Sequence, residues 1–300
     1  MPAAAPRFPD WIRRPWPSGK SFEEVKQLLA GLDLSSVCQS AHCPNQSECW
    51  GRGTATFMVM GNVCTRHCTY CSVHSGRPDS LDADEPAKVA EAVRRLNLAH
   101  VVLTSVTRDD LPDGGANHIA AVVQAIRAVR PDSTIELLVQ DFCGEDDALR
   151  TVVGSAPEIF SHNIETVRRL HGSMRDRRFT YDGALGVLRR AAEWRGDFGF
   201  VKSAFMLGCG EKDEDIDATL RDLRESGCHA VSIGQYLQPT PKHRAVQRFV
   251  PPEEFDAVEK RAYEMGFLFA VAGPFVRSSY KSETLLAAPG AAARLTGTSS

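Results

Sequence analysis

The segment T-A-T-F-M-V-M-G-N-V-C-T-R-H-C-T-Y-C, residues 54–71, joins a short apolar run to three closely spaced cysteines. Residues 54–60 are dominated by apolar and β-branched side chains, which predicts a buried β-strand. Cys64, Cys68 and Cys71 then follow in what we predict to be the loop directly after that strand. The chemistry of the chain is therefore expected close to the carboxyl end of the first strand.

Strand and helix patterns alternate along the rest of the chain. Further strands are predicted at 101–106, 135–140, 158–164, 200–207, 230–237 and 267–273, and helices at 86–97, 116–129, 145–152, 165–171, 181–194, 214–227 and 252–266. Such alternation implies a parallel sheet covered by helices. The first strand is not followed by a G-x-G-x-x-G motif, which favours a full or partial barrel over an open doubly wound sheet.

We therefore predict an α/β fold: a partial parallel (β/α)6-type TIM-like barrel with N-terminal and C-terminal extensions. The barrel is expected to span residues 54–273, with an extension at 1–53 and a C-terminal segment at 274–300. In barrels of this kind the functional residues lie in the loops after the carboxyl ends of the strands. The loop that carries the three cysteines is one of these.

Another cysteine triplet precedes the barrel; it is the first triplet in chain order, and Cys64, Cys68 and Cys71 form the second triplet. Cys38, Cys43 and Cys49 lie in C-Q-S-A-H-C-P-N-Q-S-E-C, a polar segment predicted to be a loop after a short helix over 22–32. Six of the nine cysteines thus fall between residues 38 and 71. The N-terminus has no apolar core of a signal peptide, so we expect a cytoplasmic protein. In a reducing compartment, cysteines grouped in this way are metal ligands or catalysts more often than disulfides.

Composition argues against several other classes of protein. Net charge is −3, from 35 basic and 38 acidic residues, so we expect neither a nucleic-acid partner nor an anionic membrane partner. No stretch approaches the roughly 20 apolar residues of a membrane span. The three remaining cysteines, Cys143, Cys209 and Cys228, are expected to be small apolar fillers.

Each triplet can hold a [4Fe–4S] cluster and leave one iron without a cysteine ligand. At Cys64, Cys68 and Cys71, that iron can take the amino and carboxylate groups of S-adenosylmethionine. The alternative is a structural zinc site of three cysteines with His67 or His74. The C-x3-C-x2-C spacing is unusual for zinc, and a zinc ribbon would need a second C-x2-C.

These motifs resemble those of a known enzyme family. C-x3-C-x-aromatic-C, with Tyr70 as the aromatic residue, resembles the radical S-adenosylmethionine (SAM) superfamily. Together with the upstream triplet, a further set of segments resembles the lipoyl synthase family: C-P-N-Q-S-E-C-W (43–50), G-T-A-T-F-M (53–58), T-S-V-T-R-D-D-L-P-D-G-G-A (104–116), H-N-I-E-T-V (162–167), G-Q-Y-L-Q-P-T (234–240) and R-S-S-Y (277–280). The likeness runs from about Trp11 to Lys281.

The resemblance implies two [4Fe–4S] clusters with different ligands. Cys64, Cys68 and Cys71 would hold the radical SAM cluster. Cys38, Cys43 and Cys49 would hold an auxiliary cluster, with Ser279 as the fourth ligand and Ser278 as the neighbouring alternative. Without the resemblance, both serines would be ordinary loop hydroxyls.

The resemblance also implies which residues contact S-adenosylmethionine. Asn163 and Glu165 would bind the ribose hydroxyls, Lys202 and Ser203 the carboxylate, and Tyr70 belongs to the same set. The alternatives are a helix cap for Asn163 and a surface position for Lys202. A polar loop with Asp109, Asp110, Gly114 and Gly115 either lines the mouth of the site or forms a simple turn.

For activity, the resemblance implies a sulfurtransferase that inserts two sulfur atoms, at C6 and C8 of an octanoyl chain. That chain would be linked to a lysine of a carrier domain, such as a 2-oxoacid dehydrogenase E2 subunit or the glycine cleavage H protein. A ferredoxin or flavodoxin would donate electrons, and an iron-sulfur carrier protein would rebuild the auxiliary cluster. The alternatives are another sulfur-inserting radical enzyme similar to biotin synthase, and a two-cluster electron carrier, which would need four cysteines per cluster.

Overall fold

Seven parallel strands alternate with helices in the computed structural model, which describes residues 8–13, 18–41, 43–52, 54–195, 199–288 and 291–296. The strands of the sheet are β1 (Thr54–Val59), β4 (His100–Ser105), β5 (Thr134–Leu138), β6 (Ile159–Ser161), β7 (Phe200–Leu207), β8 (Ala230–Gln235) and β9 (Phe269–Gly273). Two short strands, β2 (Val63–Cys64) and β3 (His74–Ser75), pair separately after β1. The helices between the large strands are α4 (Glu85–Leu96), α5 (Ala116–Val129), α6 (Asp146–Gly154), α7 (Arg168–Met174), α8 (Tyr181–Arg195), α9 (Asp213–Glu225) and α10 (Pro252–Glu264).

Strand order in the sheet follows chain order, β1-β4-β5-β6-β7-β8-β9, and every neighbouring pair is parallel. Among the described residues, β1 and β9 pair only on one side, so the sheet is not closed. The prediction of an α/β partial barrel is confirmed: six βα units are followed by a seventh strand. No helix in the described part of the chain is both long and apolar enough to cross a bilayer.

The strands are buried on both faces, as parallel strands between helices must be. In β4, for example, the first five residues are all buried. Two charged side chains interrupt these apolar runs, Glu136 in β5 and Lys202 in β7, and each is 0% exposed. A charge is this deeply buried only when it has a partner, and these two residues pair with each other.

The N-terminal extension departs from the prediction. The first helix, α1 (Lys20–Gly31), begins two residues earlier than predicted. The triplet segment is not a loop, because it contains α2 (Val37–Ser40) and α3 (Gln46–Gly51), which carry Cys38 and Cys49. Ser36 caps α2 by accepting a hydrogen bond from the Cys38 N–H at 3.3 Å. Helices of four and six residues are too short to leave a periodic pattern in the sequence.

The C-terminal segment packs against this N-terminal extension. The Asn45 side-chain amide donates to the Phe275 carbonyl at 2.7 Å. The Tyr280 hydroxyl donates to Glu48 at 2.9 Å. These contacts join two parts of the chain more than 200 residues apart, so the first cysteine triplet and the R-S-S-Y motif lie at the same end of the barrel. Two short helical segments follow, a 3₁₀ helix at Ser282–Ala287 and α11 (Ala291–Thr296).

Gly234, near the end of β8, allows the C-terminal segment to approach the barrel. A Cβ atom at this position would overlap the backbone carbonyl of Val276.

We expect Gly234→Ala to lower the free energy of unfolding by about 1–3 kcal/mol, because a backbone atom has to move. Urea unfolding measures the change. The matched control is Gly186→Ala in α8, where no atom lies within 4 Å of the new methyl group. That variant is expected to be neutral or more stable by up to about 1 kcal/mol. Equal effects of the two substitutions would contradict the packing argument.

Candidate functional site

One cavity of about 530 Å³ opens at the carboxyl ends of the barrel strands. Its volume lies within the range usual for small-molecule sites. Its wall includes all six cysteines of the two triplets and both serines of R-S-S-Y: Cys38, Cys43, Cys49, Cys64, Cys68, Cys71, Ser278 and Ser279. The fold therefore brings the residues of the three cysteine and serine motifs to one enclosed space.

The second triplet follows β1, as predicted, and each of its thiols accepts a backbone N–H. Cys64 accepts from Arg66 at 3.4 Å and Cys68 from Asp176 at 3.3 Å, while Cys71 accepts from Val73. Backbone donors of this kind stabilise sulfur in its charged form. Burial acts in the opposite direction: it raises the pKa of Cys71 to about 12 and also raises the pKa of Cys68. Half-buried thiols with donors aimed at sulfur fit a group that supplies positive charge, as iron does.

The first triplet is half-buried as well. The pKa of Cys38 lies well above its ordinary value. The main cause is a hydrogen bond with Cys43, and burial is the second cause. Burial raises the pKa of Cys49 to about 12. Cys38 and Cys49 therefore also need a nearby cation in order to ionise, so this triplet fits an iron-sulfur cluster by the same reasoning.

The thiols are not arranged around a single ion. In the described ranges, no group of three or more His, Cys, Asp or Glu side chains is placed to hold one metal ion. His67 bonds Ser75 at 3.2 Å, and both His67 and His74 are exposed. A zinc site with either histidine therefore finds no support. A cubane cluster binds each thiolate at a different iron, so it needs more widely spaced ligands.

Asn163 and Glu165 line the cavity just after β6. The Asn163 amide donates to Glu165 Oε1 at 3.1 Å, and Arg175 Nη1 donates to the Asn163 carbonyl at 3.0 Å. Glu165 has φ +68°, in the left-handed region that non-glycine residues seldom adopt. Burial raises the pKa of Glu165. Tyr70 also lines the cavity, and burial raises the pKa of its hydroxyl well above the ordinary value.

His162 is a cavity residue that the sequence analysis missed. It is 1% exposed, and its Nδ1 lies 2.9 Å from the Val139 carbonyl. Because a carbonyl only accepts, Nδ1 carries the proton. Burial, with Arg175 nearby, lowers the pKa of His162 to about 4, so the ring is neutral and Nε2 is an acceptor. Within the part of the chain described, His162 Nε2 and Asn163 Oδ1 are buried without a hydrogen-bond partner. The only sequence signal for His162 was its place in H-N-I-E-T-V.

Lys202 and Ser203 are not among the residues that line the cavity. Lys202 is fully buried and pairs with Glu136 at 2.8 Å, so the alternative of a surface lysine is wrong. The Ser203 hydroxyl accepts from the Ile164 N–H at 3.1 Å. Ser203 therefore holds the backbone beside Asn163 and Glu165, and does not itself face the cavity.

The polar loop after β4 is held by arginines. Asp109 pairs with Arg66 at 2.8 Å and Asp110 pairs with Arg108 at 2.8 Å, and neither carboxylate lies in the cavity wall. Gly114 and Gly115 have φ of +59° and +86°, which are turn conformations that favour glycine.

The three cysteines outside the triplets differ in their environments. Cys209 and Cys228 are 0% exposed, as expected for small apolar fillers. The same prediction is wrong for Cys143, which is exposed, with its thiol 3.0 Å from Asp109 Oδ1. Its position on a polar turn after β5 explains the difference.

Solved structures share this fold. Streptococcus suis SuiB bound to S-adenosylmethionine is similar over 76% of this chain and 55% of that chain, with a TM-score of 0.58 and 9% sequence identity. The FeFe-hydrogenase maturase HydG from Carboxydothermus hydrogenoformans is similar over 88% of this chain and 78% of that chain, with a TM-score of 0.50 and 14% identity. At these identities the likeness concerns the fold alone.

Sequence comparison gives the family. The family model of the radical SAM superfamily matches residues 58–223. Lipoyl synthase of Halorhodospira halophila is 48% identical over 93% of this chain and 84% of its own length. Lipoyl synthase of Thermus thermophilus is 48% identical over 92% of this chain and 85% of its own length. Lipoyl synthase of Chlorobium phaeovibrioides is 48% identical over 93% of this chain and 98% of its own length. Identity at this level across nearly the whole chain, together with the residues that meet in the cavity, establishes that the chain belongs to the lipoyl synthase family of the radical SAM superfamily.

Proposed function

We propose that the chain is a sulfurtransferase that inserts two sulfur atoms, at C6 and C8 of an octanoyl chain bound to a lysine of a carrier domain. Membership of the family supports an enzyme that uses S-adenosylmethionine and a [4Fe–4S] cluster. The observation that carries the finer proposal is the meeting of both cysteine triplets and R-S-S-Y in one cavity. Two clusters on one cavity wall can act on the same substrate.

In this proposal Cys64, Cys68 and Cys71 hold the radical SAM cluster. Cys38, Cys43 and Cys49 hold the auxiliary cluster, with Ser279 as its fourth ligand. When bound, the radical SAM cluster would supply the electron that cleaves S-adenosylmethionine to a 5′-deoxyadenosyl radical. The auxiliary cluster would supply sulfur. The extension at 1–53 and the segment at 274–300 serve to build the auxiliary site on the barrel of 54–273.

His162, Asn163 and Glu165 form the proposed seat for the nucleoside of S-adenosylmethionine. They offer three acceptors side by side, and two of these are buried without a partner in the described chain. A ribose with two hydroxyls and an adenine amino group can satisfy them, whereas an octanoyl chain cannot. Tyr70 completes this wall. Arg175 also lies in the cavity wall and holds the Asn163 backbone by donating to its carbonyl. Lys202 and Ser203 support the seat from behind the wall.

The octanoyl chain is proposed to run between the two triplets. Apolar side chains that include Val106, Leu138 and Phe205 line the cavity and can exclude water from the reacting carbons. The proposed partners are octanoylated E2 subunits and the glycine cleavage H protein, a ferredoxin or flavodoxin as electron donor, and an iron-sulfur carrier protein.

A protein-bound substrate is expected to react much faster than free octanoate. Docking of a folded carrier domain positions the lysine arm and offsets part of the cost of ordering the acyl chain. We expect product to form at least about tenfold faster from the octanoylated domain than from an octanoyl-lysine peptide. The peptide in turn is expected to react faster than octanoate. The measurement is product formation from the three substrates in competition at equal concentration. The same domain without its octanoyl group serves as a control for docking alone.

Conversion of free octanoate at the rate of the octanoylated domain would contradict the carrier-domain part of the proposal. Radical chemistry at Cys64, Cys68 and Cys71 would be untouched by that result, because it is measured separately as cleavage of S-adenosylmethionine.

A further inference from the structure

A buried ion pair lies in the barrel interior, one layer below the cavity. Glu136 precedes the cavity residue Leu138 by two positions in β5, and Lys202 precedes the cavity residue Ala204 by two positions in β7. Because strand side chains alternate, each residue faces the same interior as the cavity residue above it. Lys202 Nζ lies 2.8 Å from Glu136 Oε1, and both residues are fully buried.

The pair is directed at the C-terminal segment. Lys202 Nζ donates to the Ser278 carbonyl, and the Ser279 hydroxyl donates to Glu136 Oε1 at 3.0 Å. His100, at the start of β4, adds a third contact from the barrel to this segment, with its Nε2 3.2 Å from the Ser282 hydroxyl. Three polar groups of this segment, the Ser278 carbonyl and the Ser279 and Ser282 hydroxyls, are thus bonded by side chains of the barrel interior.

The two serines of R-S-S-Y are held in different ways. Ser278 is fixed through its backbone carbonyl, whereas Ser279 is fixed through its hydroxyl. A hydroxyl has one proton and two lone pairs, so Ser279 can donate its proton to Glu136 and still present its oxygen to another group. Removing two charges from water is costly, and an apolar pair of similar size would often be at least as stable. The cost suggests a role for this pair beyond filling the barrel.

We propose that Glu136 and Lys202 are a positioning pair, which fixes the R-S-S-Y segment so that the oxygen of Ser279, rather than that of Ser278, ligates the auxiliary cluster. Lys202 fixes the position of the segment relative to the barrel by donating to the Ser278 carbonyl. Glu136 orients the Ser279 hydroxyl and increases the electron density on its oxygen through the hydrogen bond. The inference rests on the proposed function, because it assumes an auxiliary cluster with a serine ligand.

The test compares variants in a background that holds only the auxiliary cluster, with Cys64, Cys68 and Cys71 changed to alanine. Mössbauer spectra of the reconstituted chain distinguish an iron with an oxygen ligand from irons with sulfur ligands only. We expect Glu136→Gln and Ser279→Ala to alter the spectrum of the same iron, and Ser278→Ala to leave it unchanged. The matched control is Ser161→Ala, which removes another hydrogen bond to Glu136, at 2.8 Å, without touching the C-terminal segment.

A second readout needs no cluster. In the cluster-free chain, Glu136→Gln is expected to speed hydrogen exchange of residues 277–282 by about fivefold or more, because the Gln amide oxygen still accepts from Ser279 but lacks the charge that strengthens the bond. Because Glu136→Gln leaves Lys202 as an unpaired buried charge, the double variant Glu136→Gln/Lys202→Met is measured as well. It keeps the barrel neutral, and we expect it to show the same spectral change.

An unchanged spectrum in both Glu136 variants, while Ser279→Ala alters it, overturns the positioning role and leaves the proposed function standing. If Ser279→Ala also leaves the spectrum unchanged, the serine ligand itself is wrong and the inference fails with it. The proposed function as a whole fails if the chain with all six cysteines intact forms no lipoyl product, whatever the spectra show.

Discussion

Changing Cys64, Cys68 and Cys71 together to alanine is expected to abolish cleavage of S-adenosylmethionine and to remove one of two clusters. Iron content should fall from about eight to about four per chain after anaerobic reconstitution, as two three-thiolate sites imply. The cofactor is proposed to bind the iron that these three thiols leave open. Without that iron there is no site for its amino and carboxylate groups, and no electron reaches the sulfonium.

The measurement is 5′-deoxyadenosine formation with a chemical reductant, alongside an iron assay. Cys228→Ala is the matched control, because Cys228 is fully buried and lies outside the cavity wall. It is expected to keep full iron content and full cleavage. Retention of both clusters in the triple variant would show that these cysteines are not the ligands.

The reciprocal variant, with Cys38, Cys43 and Cys49 changed to alanine, is expected to keep cleavage and lose sulfur insertion altogether. The proposed seat for the nucleoside, at His162, Asn163 and Glu165, lies after β6 and does not use the first triplet. The radical can therefore form, but no sulfur is available to the substrate. The expected result is 5′-deoxyadenosine without lipoyl product, with about four irons per chain.

Cleavage and product formation measured on the same sample decide this second prediction. If cleavage is lost along with product, the two triplets do not act independently, and the assignment of one cluster to each triplet would be wrong. Normal product formation would exclude the first triplet as the source of sulfur.

The fold could be predicted from the sequence because its signals are local. Each buried strand of the large sheet is a short apolar run, and the helices between these strands show their own period, so the order of those elements follows directly. The two-residue strands β2 and β3 were not predicted, because they are too short to leave a pattern. The first triplet segment was predicted wrongly as a loop. Its helices α2 and α3 span less than two turns each and depend on contacts with distant residues, such as that of Asn45 with Phe275.

The site could be predicted only in part, for a similar reason. Thiols with close spacing are visible in the sequence, and all six of them line the cavity. Lys202 was expected at the cofactor carboxylate, whereas it pairs with Glu136, 66 residues away in the chain. Whether a lysine on a strand points into a cavity or into a buried ion pair depends on what the neighbouring strands place opposite it. His162 was missed because a single histidine at a strand end has no pattern of its own.

The central claim is that this chain inserts sulfur from its own auxiliary cluster into a protein-bound octanoyl group. The most direct test is a single turnover of chain reconstituted with ³⁴S-sulfide, on an octanoylated carrier domain, read by intact-protein mass. We predict a product that gains two sulfur atoms, both carrying the heavy isotope, with two 5′-deoxyadenosines formed per lipoyl group. A carrier domain whose mass is unchanged while S-adenosylmethionine is cleaved, or a product with sulfur of natural isotope composition, would contradict the claim.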